Sequence, residues 1–290
     1  MEIIMNGGFF MQDRREKNAK IFKDTESMYQ THTVLKSVVE NSINRQKIIL
    51  ANEELDVSYF RDHIGKIVVS GKKTLEASEV YAKQGKRVCV LNFASATNPG
   101  GGVISGASAQ EESICRCSTL YPCLNNSEMW NKFYTPHRTE NNPLYNDDII
   151  FTPEVKVFKS DTNFPELIQE SEWWNVDVIT CAAPNLRYLS LTTNSMERPG
   201  EITYMQLHWL FHKRILKIFE VAVMSGADVL ILGAFGCGAF RNPARLVAEV
   251  FAEYTKEYRK CFDVIEYAVF HVGHERENYD AFKKEMEQFL

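Results

Sequence analysis

The residues of this 290-residue chain whose types and spacing suit chemistry are two glycine-rich loops and one pair of adjacent glutamates. Gly100-Gly101-Gly102 is followed, after seven residues, by Gln110-Glu111-Glu112, and a second run reads Gly233-Ala234-Phe235-Gly236-Cys237-Gly238-Ala239-Phe240-Arg241. Three consecutive glycines carry an entropy cost and pack nothing, so they suit a place where backbone approaches a ligand or adopts φ > 0. Successive N–H groups in the second loop, beside a helix N-terminus, form an anion cradle that needs no lysine. That loop is neither a P-loop nor a dinucleotide fingerprint, because it lacks the Gly-Lys-Ser/Thr of the first and the third glycine of the second. Phe235 or Phe240 can offer a ring to a base or sugar, although either alone also suits a core.

Glu111 and Glu112 open a helix directly after the first loop. Adjacent helical side chains diverge by about 100°, so the two are not the facing acid and nucleophile of an ordinary glycosidase. One of them can point into a cleft as a general acid or base. A helix N-terminus lowers a glutamate's pKa, whereas burial, a second carboxylate and a nearby diphosphate raise it, and the sequence leaves that balance open. The plainer reading is a first helical turn complementing its dipole, with Arg116 as the i+4 ion-pair partner of Glu112.

Strands and helices must position these groups. Residues 13–49 read as a helical appendage. From residue 66 the pattern alternates: a β-branched run at 67–69, a helix over 74–84, a strand over 87–93, the first loop, and a helix from about 109. Residues 121–148, rich in Asn, Pro and Tyr, predict an irregular excursion over the surface. Strands follow at 149–151 and 155–158, around Pro153, and at 176–181. A long helix over 204–225 is closed by Gly226, then come a strand at 229–232, the second loop, a helix over 243–258 and a last strand at 264–270. This order predicts an α/β fold, a mixed sheet between helices. Both loops leave strand ends, where open α/β sheets bind ligands, so one ligand with a diphosphate and two sugars can span them.

Composition excludes more than it identifies. A net charge of −5 gives no global basic field for a nucleic-acid backbone, so any phosphate must be held locally. No apolar run predicts a membrane span and the first residues lack a secretory pattern. Seven scattered cysteines suit free thiols in a reducing cytoplasm. Cys115, Cys117 and Cys123 bunch without a convincing second half of a zinc site. His208 and His212 stand at i, i+4, but Trp209 occupies the place of the glutamate in a zinc-protease helix, and packing is the plainer role. His271 and His274 suit a strand-end turn, and Trp173-Trp174 a cover for the core.

Taken together, the triple glycine, the spacing and Gln110-Glu111-Glu112 resemble the signature of poly(ADP-ribose) glycohydrolases, and the second loop resembles their diphosphate loop. The Arg14-Arg15-Glu16 helix, Asn98-Pro99 and Cys181-Ala182-Ala183-Pro184-Asn185 resemble the microbial branch of that family. The resemblance implies a macrodomain over residues 61–290 with a helical extension at 1–60 packed on it. It implies that Glu112 is the catalytic carboxylate, that Glu111 orients the ribose of the leaving group and that Asn98 contacts the distal ribose. Gly100, Gly101 and Gly102 would crowd the anomeric carbon and diphosphate, with Gln110 beside them in substrate binding. Phe235, Gly236, Cys237, Gly238, Ala239 and Phe240 would wrap the diphosphate. The implied substrate is poly(ADP-ribose) or ADP-ribosylated protein, cleaved without metal or cofactor, with no nucleic-acid or membrane partner. The alternatives are a macrodomain that only binds ADP-ribose and a hydrolase of a free ADP-ribose derivative. Arg241 would close over the phosphates or narrow the substrate range, and residues 121–148 would cover the leaving-group side.

Overall fold

The computed structural model describes residues 2–57, 60–192 and 200–290, with side chains of the first helix from residue 13 onward. In chain order the elements are α1 (Glu2–Thr31), α2 (Thr33–Arg45), β1 (Lys47–Ile49), β2 (Lys66–Ser70), α3 (Thr74–Ala82), β3 (Val88–Phe93), α4 (Gln110–Cys117), α5 (Leu120–Leu124), α6 (Ser127–Met129) and α7 (Thr135–Glu140). After them come β4 (Ile149–Val157), β5 (Trp174–Cys181), β6 (Ser190–Thr192), β7 (Glu201–Thr203), α8 (Tyr204–Ser225), β8 (Val229–Leu232), α9 (Ala244–Tyr258), β9 (Val264–Ala268) and α10 (Glu277–Met286).

Seven strands form one mixed sheet in the order β1-β4-β5-β3-β8-β9-β2. From β5 to β2 all neighbours are parallel, and the two strands at the other edge are antiparallel. The central strands are mostly apolar because both faces are covered, with Asn92 in β3 and Asp177 in β5 among the buried polar exceptions. Along β3 the side chains alternate between two cores: Cys89 and Leu91 join the one packed by α8, α9 and α10, while Val88 and Val90 join the one holding Phe22, Leu35, Leu75 and Ile114. Helix α8 shows why these segments are helical: Leu207, Phe211, Ile215, Ile218 and Ala222 form its buried stripe. A Thr203–Gln206 capping box starts it and left-handed Gly226 ends it.

Three expectations are corrected. Residues 47–49 form β1, an edge strand hydrogen-bonded to β4, so the sheet takes in a piece of the segment expected to be wholly helical. Around Pro153 there is one strand, not two: β4 runs on through a register shift between Thr152 and Val155, with Glu154 at φ 55° and its N–H on Asp177. Residues 121–148 are largely helical, with α5, α6, a π-helical turn at Trp130–Tyr134 and α7. Asn, Pro and Tyr in this segment predict a loop, yet its Phe133, Tyr134 and His137 are buried and anchor the helices.

Candidate active site

Strands β3 and β8 lie side by side and parallel, Val90 opposite Ile231. The first loop leaves the end of β3 and the second leaves the end of β8, so both open at the same end of the sheet.

The first loop is folded around the two carboxylates. Gly100 and Gly101 have φ of 65° and 58°, a region that side chains rarely adopt. A Cβ on Gly101 would stand 2.5 Å from Glu112 Oε1 and 3.1 Å from Glu111 Oε2. Both carboxylates therefore meet at this one glycine. Gly102 N–H donates to Glu112 Oε1 at 2.9 Å. Glu112 Oε2 is buried and has no hydrogen-bond partner among the described residues. Glu111 is more deeply set: Ser95 N–H donates to it at 2.8 Å and the Asn92 amide at 3.3 Å. Burial pushes the Glu111 carboxyl up to about 8, and the neighbouring Glu112 charge adds to this against the hydrogen bonds from Ser95 and Asn92.

Arg116 does not pair with Glu112. It is buried, and its Nη1 donates to Ala107 O at the far end of the loop. Ala107 N–H in turn donates to Gly102 O at 3.1 Å. A relay therefore runs from Arg116 through Ala107 and Gly102 to the Glu112 carboxylate. Gln110 also works inward: its Oε1 accepts from Phe93 N–H at 2.8 Å and its Nε2 donates to Leu91 O and Thr74 Oγ1 at 2.7 and 3.0 Å. Its amide ties α4 to β3, which was not expected of a substrate-binding residue. Asn98 is exposed, and its side-chain oxygen accepts from Arg138 at 2.5 Å.

Helix α1 buttresses this loop. Asn18 donates to Gly106 O at 3.1 Å, and Thr25 donates to Arg116 O at 2.6 Å. Gly106, at φ 75°, abuts the Arg15 carbonyl so closely that no Cβ fits. Neither Asn18 nor Arg138 was singled out in the sequence, since a polar residue in an exposed-looking helix carries no signal of what it touches.

The second loop is held differently. Gly236 has φ 74°, and a Cβ there would meet Ala183 and stand 2.7 Å from Asn242 Nδ2. Buried Asn242 donates to Gly236 O at 3.0 Å and to Pro184 O at 2.7 Å, fastening the loop to the segment after β5. Gly238 and Ala239 are exposed, and a Cβ on Gly238 would meet nothing within 4 Å. Phe235 is a core residue, its ring against Phe93 and Phe211. Phe240 is half-buried beneath the Arg187 guanidinium, 5.5 Å from its ring centroid. Cys237 carries a thiol that burial keeps protonated. Arg241 is exposed at φ 60° and does not line the cleft.

Between the loops lies a cavity of about 340 Å³, walled by Phe93, Gln110, Ala183, Phe235, Gly236 and Phe240. Its far end is formed by Lys73, Phe270 and Asn278, and the Lys73 ammonium sits 5.5 Å from the Phe270 ring centroid. Phe270 is 50% exposed, a ring available to a flat ligand group. It lies two residues beyond β9, where the sequence predicts the strand to continue to residue 270.

Elsewhere, Cys115, Cys117 and Cys123 are buried and free. His212 packs against Tyr254, whose hydroxyl lies 2.6 Å from Nδ1, and stacks on Trp209. Trp174 is buried and donates to Ser78. No helix of the described residues is long and apolar enough to cross a membrane.

The family model described as the catalytic domain of microbial-type PARG matches residues 2–160. Comparison with curated proteins finds no match. Among solved structures, poly(ADP-ribose) glycohydrolase from Thermomonospora curvata is 27% identical, with 93% of this chain and 99% of that one covered at a TM-score of 0.79. The same enzyme bound to the inhibitor ADP-HPD aligns over the same shares at 27% identity and a TM-score of 0.77. Poly(ADP-ribose) glycohydrolase from Deinococcus radiodurans in complex with ADP-ribose is 28% identical, covering 87% of this chain and 98% of that one, at a TM-score of 0.75. With the family model spanning more than half of the chain and the glycine turn closing on Glu111 and Glu112, this chain belongs to the microbial-type poly(ADP-ribose) glycohydrolase family.

Proposed function

We propose that the chain hydrolyses the O-glycosidic bond of ADP-ribose units, with Glu112 as general acid and then general base. The observation that carries this is the Glu112 carboxylate: one oxygen is pinned by Gly102 N–H, and the other is buried without a partner among the described residues. A buried polar atom left unpaired costs about 1–3 kcal/mol, which suits an atom whose partner is substrate.

With the diphosphate between the loops and the base toward Phe270, the anomeric carbon comes to Gly101 and Glu112. Glu112 gives its proton to the leaving oxygen as the bond from that oxygen to the anomeric carbon breaks. The sugar passes through an oxocarbenium ion beside the negative diphosphate. Water then adds to the anomeric carbon and returns a proton to Glu112. Glu111, whose carboxyl burial pushes up to about 8, supports the loop through the Ser95 N–H. Asn98 and the second loop hold the distal ribose and diphosphate through amide and backbone groups, in keeping with a net charge of −5.

ADP-ribose and ADP-HPD bound in the two bacterial relatives support ADP-ribose as the ligand, and the family supports poly(ADP-ribose) as substrate. ADP-ribosylated protein is a second substrate class. Residues 61–290, completed by the edge strand β1, form the catalytic domain, and the helices before residue 60 act as its buttress. Seven free thiols suit a reducing compartment such as the cytoplasm.

The test compares wild type with Glu112→Gln on poly(ADP-ribose) and on ADP-ribosylated protein. Release of ADP-ribose falls by about 10²–10⁴-fold while free ADP-ribose still binds. Equal release from both proteins would sink the assignment, and tight binding without release by wild type would make the chain an ADP-ribose reader.

A further inference from the structure

Arg138 is an exposed cation on the rim of the site, held in place by more contacts than a surface arginine usually has. Its Nε donates to Thr97 O at 2.6 Å and its Nη2 to Asn98 Oδ1 at 2.5 Å. Its guanidinium lies 4.6 Å from the centroid of the Trp130 ring. The indole is itself fixed, since Trp130 Nε1 donates to Asn125 at 2.8 Å and its ring packs on Tyr134. Trp130 and Tyr134 bound the π-helical turn, and Arg138 follows four residues on, in α7. Among the described residues no carboxylate pairs with Arg138, and its Nη1 has no hydrogen-bond partner. Such preorganisation of an arginine without an anion is unusual, because the fork's remaining donors match a phosphate.

Its place relative to the chemistry follows from short links. Asn98 O accepts from Gly101 N–H at 2.9 Å, and Gly101 abuts Glu112. Arg138 is thus one side chain and one turn removed from the catalytic carboxylate. The cavity that would take the ADP portion is lined by Gln110, Phe235 and Phe270; Gly101 and Glu112 lie outside that lining together with Asn98 and Arg138, so the scissile bond falls at the cavity's edge, on their side. With ADP-ribose filling the cavity and its anomeric carbon at Glu112, the leaving oxygen points out of the cavity, to the side that Asn98 and Arg138 occupy.

We infer that Arg138, stacked on Trp130, contacts the departing part of the polymer and takes a phosphate of the next ADP-ribose unit. This rests on the glycohydrolase reading of Glu112. The proposal adds a contact made by the part of the substrate that departs, so it affects substrates according to their leaving group.

The test pairs two substrates that share ADP-ribose and differ beyond the scissile oxygen: a short poly(ADP-ribose) oligomer and an uncharged aryl O-glycoside of ADP-ribose. In Arg138→Gln, kcat/KM on the oligomer falls about tenfold further than on the aryl glycoside, the effect of one charge-assisted contact. The dependence of log kcat/KM on log salt concentration for the oligomer becomes shallower by about one contact's worth, and Arg138→Lys restores it. Equal losses on both substrates would mean that Arg138 only holds Asn98 and would overturn the inference. So would a wild type that cleaves the aryl glycoside but not the oligomer. A wild type that cleaves neither substrate, with ADP-ribose still bound, would instead remove the glycohydrolase reading and the inference with it.

Discussion

The two glycine loops sit on neighbouring strands, face the same cleft and look alike in sequence, yet they are built on opposite principles. In the first, the glycines make room for the protein itself: Tyr121 and Cys115 crowd Gly100, and two carboxylates crowd Gly101. In the second, Gly236 is confined by Ala183 and Asn242, while two residues later Gly238 faces open space. If Glu112 is the reacting carboxylate, as proposed, the first loop must hold it closely, and Gly102, Ala107 and Gly106 are each tied to Glu112, Arg116 or α1. In the second loop the N–H groups of Phe235 and Cys237 are used within the loop, whereas among the described residues no hydrogen bond holds those of Gly236, Gly238 and Ala239, which suits the proposed diphosphate contact. The difference teaches that glycine in a ligand loop has two distinct uses, one set by what the protein packs against it and the other by what arrives later.

The comparison is broken most severely at Gly101. In Gly101→Ala the new methyl group would overlap Glu112 Oε1 and force the residue to keep φ 58°. The expected outcome is a loss of at least about 10²-fold in kcat, as for a displaced catalytic group, with about 1–2 kcal/mol of stability lost to strain. Single-turnover hydrolysis and denaturant unfolding measure the two. A variant with normal kcat would show that Glu112 does not need Gly101's missing side chain.

Next in size is the relay. Arg116 reaches Glu112 only through Ala107 and Gly102, so it is a positioning residue. Arg116→Met leaves Ala107 O short of a donor and slackens the loop, and kcat falls about tenfold with KM nearly unchanged. Arg116→Lys, which keeps one charged donor, recovers part of kcat. A drop confined to stability, with kcat kept, would reduce Arg116 to a core residue.

Glu111 adds a pH signature that the second loop lacks. Its folded pKa, near 8, lies above the ordinary carboxylate value of 4.5 because of burial. Between those values the folded chain holds a proton that the unfolded chain has released, so stability falls as pH rises. This contribution is fully present below about 4.5 and lost as pH rises through about 8. Glu111→Gln has no such loss. Its unfolding midpoint gains on that of wild type between pH 5 and pH 9, by an energy on the order of a few kcal/mol. Parallel curves for the two proteins would show that Glu111 ionises normally.

How much of this was legible in the sequence follows the same division. Features written in local spacing were readable: the alternation of strands and helices, α8 from its periodic Leu207, Phe211, Ile215 stripe and Gly226, and the site's two loops with Glu111 and Glu112. Features fixed by partners far along the chain were not. β1 is three residues that become a strand only by meeting β4, the helices at 120–140 carry turn-like Asn and Pro, and Arg138 gains meaning only from contacts 40 residues away. The i+4 spacing of Glu112 and Arg116 suggested an ion pair, but burial gave the guanidinium a carbonyl partner within the loop instead.

The finest separation lies within the second loop. Gly236→Ala meets Ala183 and Asn242 and must hold φ 74°, so the loop shifts and free ADP-ribose binds about tenfold more weakly. Gly238→Ala places its methyl group in open space, and stability stays within about 0.5 kcal/mol of wild type. Any loss of affinity in Gly238→Ala therefore reports the ligand's approach, since the protein gives the methyl group nothing to touch. Calorimetric titration with ADP-ribose should show the smaller loss there. If Gly238→Ala loses as much affinity as Gly236→Ala while unfolding like wild type, the diphosphate lies against the loop's tip rather than its anchored base, and the open glycine is the one that the ligand requires.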